Sequence, residues 1–528
     1  MDKPALIDRP HVAALVTLLI STWMVRPVIA QDDPPIPEEA PAVDPFDPGA
    51  RETADDRWRG LKHLERIQFL SNITTLDQSP TLLPLRPWDT SIDLKAPQPS
   101  PLGRGPSDPL FGAPLEPVLR PWRAVQTAAL EQLGLNTSAY YTLLYQHVTN
   151  PKPDTPSNFG TGRLDLNFVW NLWDEDSQGD SLLEGGLLGH GLVGILVRQG
   201  NQIGSPQSLS PQGSVGSIEG LDSLYSGPDG GPATLNLLYY QQGWLDDRLV
   251  VSAGKIHPNQ YIGLNFWAND ESRQFLAGPF DGIQPLGSSH GGYQLGVAVQ
   301  AIPAERIFVN AVVTDALGTP DSMFSTLGEG YVWSSAETGL IMPFDEELLG
   351  GPTIASLIWS GQNLDALAST PTRKWSNAVA IQWQGHLTDQ LGYWAQGAWS
   401  DPSMSTTNAQ VSCGIGIERP FGRRGDRFGF GYNWSRPSDP AGSARLTGSL
   451  LGAGPIPVTY VGLAYNETNV FANTSAPPGP QSMIEAFYRI QLTESMQLSP
   501  DIQVIFKPGT RSDVDTSVVL GLRLTTDF

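Results

Sequence analysis

VVLGLRLTTDF, residues 518–528, decides how the chain folds. Counting back from Phe528, every second residue is Thr526, Leu524, Leu522, Leu520 and Val518, and the interleaved set is Asp527, Thr525, Arg523, Gly521 and Val519. A period of two marks a strand whose two faces meet different surroundings. Here one face is apolar up to an aromatic end, while the other carries an Arg and an Asp.

The same alternation recurs upstream. In DIQVIFK (501–507), Ile502, Val504 and Phe506 oppose Asp501, Gln503, Ile505 and Lys507, and in IEAFYRIQLT (484–493) Ile484, Ala486, Tyr488, Ile490 and Leu492 oppose Glu485, Phe487, Arg489, Gln491 and Thr493. RFGFGYNWS (427–435) and RLDLNFVWNLW (163–173) behave alike. A soluble sandwich also alternates, so the connections discriminate. Tight links at LDD (245–247), PAE (303–305), TDQ (388–390), FGRRGD (421–426) and TESM (493–496) contrast with long polar stretches at 258–291, 316–329 and 437–455. Short turns at one end and long loops at the other are the pattern of a transmembrane barrel. Hydrocarbon offers backbone groups no hydrogen-bond partner, so strands can span it only as a sheet without edges. A basic residue on the lipid face at mid-bilayer would cost about 2 to 4 kcal/mol, and Arg163, Arg489 and Arg523 all fall in the polar phase. With about 25 residues per strand and connection, residues 134–528 predict an all-β, closed antiparallel transmembrane β-barrel of about sixteen strands, preceded by a short helical segment. A barrel that wide encloses an aqueous channel.

Composition agrees. Charged residues make up 16% of the 528 residues, against about 25% in ordinary soluble domains. The net charge of −22 and the lack of a Lys/Arg cluster exclude a nucleic-acid partner. The single cysteine, Cys413, excludes an intrachain disulfide, and it lies in an apolar strand phase as a small apolar residue. Residues 1–30 read as an export signal, with Lys3 and Arg9 before an apolar run and Val28-Ile29-Ala30 as the cleavage motif. Residues 31–120 read as a proline-rich acidic leader, partly disordered, with a possible short helix at 57–70. Residues 121–528 form the barrel domain, including a helix at 123–134.

EAFYRIQLTESMQLSPDIQVIFKPGTRSDVDTSVVLGLRLTTDF (485–528) resembles the end of the carbohydrate-selective porins of the OprB family. GLNTSAYYTLLYQ (134–146), RLDLNFVWNLW (163–173), GKIHPNQY (254–261) and FWANDESRQF (266–275) are further matches, whereas 316–372 is not clearly in register with that family. The resemblance implies a sixteen-stranded outer-membrane barrel through which sugars diffuse passively, with loops folded in to narrow the pore. It implies carbohydrates as solutes, outer-membrane lipid around the barrel, and barrel-assembly machinery reading the closing strand at Phe528. No cofactor and no catalysis are implied.

YIGLNFWANDESRQFLAGPF (261–280) sets Tyr261, Phe266, Trp267, Phe275 and Phe280 beside Asp270, Glu271 and Arg273. Aromatic faces stack on sugar C–H surfaces and charged groups hold hydroxyls, so Trp267, Asp270, Glu271 and Arg273 are candidates for sugar contact; the plainer reading is a loop packed on the wall, its charges holding it there. Arg163, Asp165, Glu485, Arg489 and Arg523 are candidate pore-lining wall residues, with Glu418 and Asp501 in the same phase. WDEDSQGDSLLE (173–184) has Asp174, Asp176 and Gly179 at calcium-loop spacing but Gly185 at the twelfth place, so an acidic turn is favoured. GSSHG (287–291) matches a nucleophile motif but precedes a strand where that motif needs a helix, so it is a chance match. The seven histidines show no metal spacing. Rival readings are an exporter or embedded hydrolase barrel, and a secreted β-rich carbohydrate-binding protein.

Overall fold

The computed structural model describes residues 109–174, 190–204, 211–224, 233–244, 249–287, 290–304, 306–317, 326–342, 353–365, 372–388, 390–423, 425–438 and 479–528. The chain divides into Met1–Arg51, which lies outside the described residues, and Glu52–Phe528, which holds the fold. The export signal, the leader up to residue 108 and the possible helix at 57–70 lie outside the described residues, as does most of the acidic turn at 173–184.

Sixteen antiparallel strands, each hydrogen-bonded to its neighbours in sequence, close into a barrel where β1 (Leu135–Val148) meets β16 (Thr516–Asp527). At the seam Tyr140 faces Asp527, Thr142 faces Thr525 and Leu144 faces Arg523. Around the wall follow β2 (Asn158–Asp174), β3 (His190–Gln202), β4 (Thr234–Trp244), β5 (Leu249–Ile256), β6 (Gln294–Ala304), β7 (Ile307–Asp315) and β8 (Val332–Met342). The second half is β9 (Thr353–Leu364), β10 (Arg373–His386), β11 (Leu391–Ser400), β12 (Thr407–Glu418), β13 (Arg427–Pro437), β14 (Gln481–Gln491) and β15 (Met496–Phe506). Strands β8 and β9 fill the stretch whose register the sequence left open. The strand ends that flank the tight connections expected from the sequence all fall at one rim, together with the start of β1 and Phe528.

The two-residue period becomes an inside and an outside. On β16 Ser517, Val519, Arg523, Thr525 and Asp527 are buried, whereas Leu520 and Leu522 are 45% and 46% exposed. The outward set of β13 is Phe428, Phe430, Tyr432 and Trp434, and Cys413 on β12 points the same way, paired with Ala395 and Tyr432. Exposed apolar side chains such as Val379, Ile381 and Trp399 continue this belt. Such a surface is the reverse of a soluble protein's, and hydrocarbon is the solvent it suits.

Helix α1 (Glu116–Leu133) precedes β1. It begins well before Arg123, because Pro117 sits in its first turn, where no intrahelical N–H bond is lost. Pro121 deprives the Pro117 carbonyl of its partner on the exposed side, a defect that water can satisfy. Gly134, left-handed at φ 65°, ends the helix with its N–H on Ala129 and Leu130 oxygens. No helix among the described residues is long and apolar enough to cross a membrane.

Candidate functional site

Two connections at the long-loop rim turn inward and fill much of the lumen. Residues 257–293, between β5 and β6, form the larger insertion, and residues 211–224, between β3 and β4, pack beside them. The two meet where Ser223 N–H donates to Leu276 O (2.8 Å) and Gly278 N–H to Gly220 O (3.0 Å). Their irregular backbone would be unsatisfied in hydrocarbon; inside the barrel, wall side chains supply the partners.

The wall tethers the larger loop from many directions. Asn310 on β7 donates to Tyr261 O (2.8 Å), Glu337 on β8 accepts from Gly263 N–H (3.1 Å), and Trp333 donates to Leu286 O (2.8 Å). Gln384 on β10 accepts from Phe266 N–H (2.8 Å) and donates to Leu264 O (2.6 Å). Gln410 on β12 donates to Pro279 O (2.7 Å), and Arg427 on β13 donates to Phe266 O (3.2 Å). Glu485 on β14 accepts from the N–H groups of Leu276 and Ala277. Arg523 on β16 donates to Glu271 O (2.6 Å) and Gln274 O (2.8 Å), and Thr525 to Ser272 O (2.9 Å).

Beside the seam lies a cluster of buried charges. Arg163 on β2 donates through Nε to Asp165 (2.7 Å), through Nη1 to Glu271 (2.6 Å) and Leu224 O (3.1 Å), and through Nη2 to Ser272 Oγ (2.8 Å). Arg163 and Asp165 can meet because residues two apart share a strand face. Arg198 on β3 donates to the other oxygen of Asp165 and to Tyr293 OH, and lies 3.8 Å from Glu271. Arg273 pairs with Asp527 at 3.0 Å. Burial alone would push the Glu271 carboxyl up, but Arg163 and Arg198 outweigh it, so the net direction is down and the group stays ionised. His257 and His290 go down to about 3 and about 4, chiefly through burial, so both imidazoles are neutral at physiological pH.

Aromatic residues fix the opposite side. A Cβ added at Gly392 or Gly416 would overlap the Trp267 ring, so the two wall glycines make the slot that the indole fills. Arg427 covers that ring at 4.9 Å, and Phe275 packs edge-on against Phe487 with centroids 5.0 Å apart. These contacts put an apolar core inside the barrel, between loop and wall.

Every candidate residue from the sequence lies on the lumen side. Arg163, Asp165, Glu271 and Arg273 come together beside the seam, with Arg523 and Asp270 bordering them; Trp267 sits in its glycine slot, and Glu485 holds the loop backbone. All eight are at most 7% exposed, at the loop–wall junction, whereas Arg489 on β14 is half-buried. Glu418 pairs with Arg427 (3.0 Å) at the short-turn end, and Asp501 is buried on β15. Sequence reasoning missed Arg198, Tyr293 and the inward segment 211–224. Arg198 lies near the end of HGLVGILVRQ (190–199), where both faces are apolar and the period is hidden. His290 bonds a backbone carbonyl (Ile262 O, 2.9 Å), while Ser288 and Ser289 of GSSHG lie outside the described residues. No group of His, Cys, Asp or Glu among the described residues could hold a metal.

A closed sixteen-stranded barrel with an apolar outside, a polar wall inside and a loop folded across its lumen is a porin of the bacterial outer membrane. The carbohydrate-selective porin, OprB family, is the family whose model matches this chain, over residues 358–528, so the resemblance to that family lies in the C-terminal part of the barrel. The high-pH structure of Pseudomonas putida OprB matches at 15% identity with a TM-score of 0.57, covering 80% of this chain and 99% of that one, which supports the fold. The low-pH structure of the same protein matches at 13% and 0.42, covering 80% and 100%, and a mutant of Rh. blastica porin at 10% and 0.39, covering 75% and 100%. No curated protein matches the chain.

Proposed function

We propose that the barrel passes sugars and other small hydrophilic solutes down their gradients, without chemistry, through the space left between the inserted loop and the wall. The observation carrying this reading is the tethering of residues 257–293 to strands on all sides, which makes the loop a fixed constriction. Trp267, Asp270, Glu271, Arg273, Arg163, Asp165, Glu485 and Arg523 set the shape and local charge of that constriction, and Arg489, the most accessible of the candidates, meets solutes directly. Guanidiniums and carboxylates alternate in the buried cluster, so the lumen suits neutral polyhydroxylated solutes better than ions of one sign. The outer belt meets lipid, and the strand ending at Phe528 is the element that barrel-assembly machinery reads. Planar-bilayer recording tests the proposal: stepwise conductance reduced by added mono- or oligosaccharide is expected. Absence of steps would reject the channel, and steps indifferent to sugar would reject carbohydrate selectivity.

A further inference from the structure

Helix α1 has three faces, and the barrel uses one of them. Leu119 is buried, Arg123 donates to Ser495 Oγ (3.0 Å) on the β14–β15 turn, and Gln126 donates to Thr137 O (2.9 Å) and Phe528 O (3.4 Å). This face clamps the helix along the short-turn rim, from β15 to β1. To one side of it lie Val118, Trp122, Val125, Ala129 and Leu133, spaced i, i+4, i+7, i+11 and i+15, a single stripe on a 3.6-residue helix. Val118 is 75% exposed, Val125 58%, Leu133 63% and Trp122 42%. Exposed Arg120 and Thr127 lie to the other side.

The stripe runs into the apolar outer face of the barrel. Leu133 O accepts a hydrogen bond from the indole of Trp170 (3.0 Å), which is an outward-facing residue of the lipid belt on β2, next in phase to exposed Leu172. The rim end of β16 adds the outward-facing Phe528, 40% exposed and next to Gln126. The helix therefore extends the barrel's apolar outer face at the level where aromatic girdles meet headgroups. We propose that α1 is an interfacial helix that beds its Val118–Trp122–Val125–Leu133 stripe in the periplasmic leaflet of the outer membrane. The partner is phospholipid, met by acyl-chain ends under the stripe and by headgroups near Arg120. The inserted helix fixes the height and tilt of the short-turn rim.

Site-directed spin labels test this in the intact chain. Cys413→Ser leaves no native thiol, and Val118→Cys and Val125→Cys report the stripe, with Arg120→Cys and Thr127→Cys as reporters of the polar side. In phosphatidylethanolamine–phosphatidylglycerol vesicles, labels at 118 and 125 should collide with oxygen in preference to a water-soluble nickel chelate, and labels at 120 and 127 should show the reverse. Nickel-chelate preference at 118 and 125 would overturn the proposal in favour of a solvent-facing helix. So would spin–spin broadening there that disappears on dilution with unlabelled protein, since a second copy would then cover the stripe. Each variant is first required to show the conductance of the parent barrel.

Discussion

Glu271 sits where three guanidiniums converge: Arg163 bonds its carboxylate, Arg198 faces it and Arg523 bonds its backbone. Its charge is the adjustable part of that junction. Because its folded-state pKa lies below the usual 4.5, the stability it adds is present above that value and disappears as pH falls through the lower, folded value. Open-channel noise should therefore stay constant from neutral pH to about 4.5 and rise below it. Glu271→Gln should raise the noise already at neutral pH and destabilise the loop by about 3 kcal/mol, at the low end for a broken buried pair because Asp165 still holds Arg163. Noise unchanged in the variant would remove Glu271 from the clamp. On the outer face, Leu522→Arg should cost about 2 to 4 kcal/mol and lower the folded fraction on unheated gels, while Leu522→Ile should not.

At the level of elements, the Trp267 slot links two adjacent strands to the loop. Gly416→Leu fills it from the β12 side, where even a Cβ would overlap the ring, and should dislodge the loop, enlarging conductance and weakening sugar block. Gly397→Ala, whose added Cβ would meet its nearest neighbour at 3.9 Å, is the control expected to leave both unchanged. Equal behaviour of the two variants would mean that the slot does not position the loop. Strands β2, β13, β14, β15 and β16 were legible because their inward faces are polar. Strand β3 was not, since Leu192 and Leu196 point inward onto the plug and Val193, Ile195 and Val197 point outward, leaving no contrast. The same physics explains inward-facing Phe487 and Met483 on β14: a lumen filled by a loop has an apolar core as well as a wet wall.

For the molecule as a whole, alternation and loop lengths told the strand count and the two rims, while the site depended on pairings that no local pattern encodes. Arg163 and Glu271 are 108 residues apart, and Glu485 and Leu276 209; the residue types were readable, their meeting was not. A closed sheet with every ladder paired should resist detergent until heated, so the unheated protein is expected to migrate faster than the boiled one and to fractionate with outer membranes. A chain that dissolves freely without detergent would contradict the barrel.

The junction of β1 with β16 brings Thr142 against Thr525, 383 positions along the chain. Until the last strand joins the first, the growing sheet keeps two bare margins that a bilayer cannot solvate. The plug is caught in the same timing, because its anchors sit on β2 and β3 as well as on β14 and β16. Insertion of the loop and zipping of the cylinder must then be one late event, and a nascent chain stopped before its final strand would be left as a substrate for periplasmic proteases.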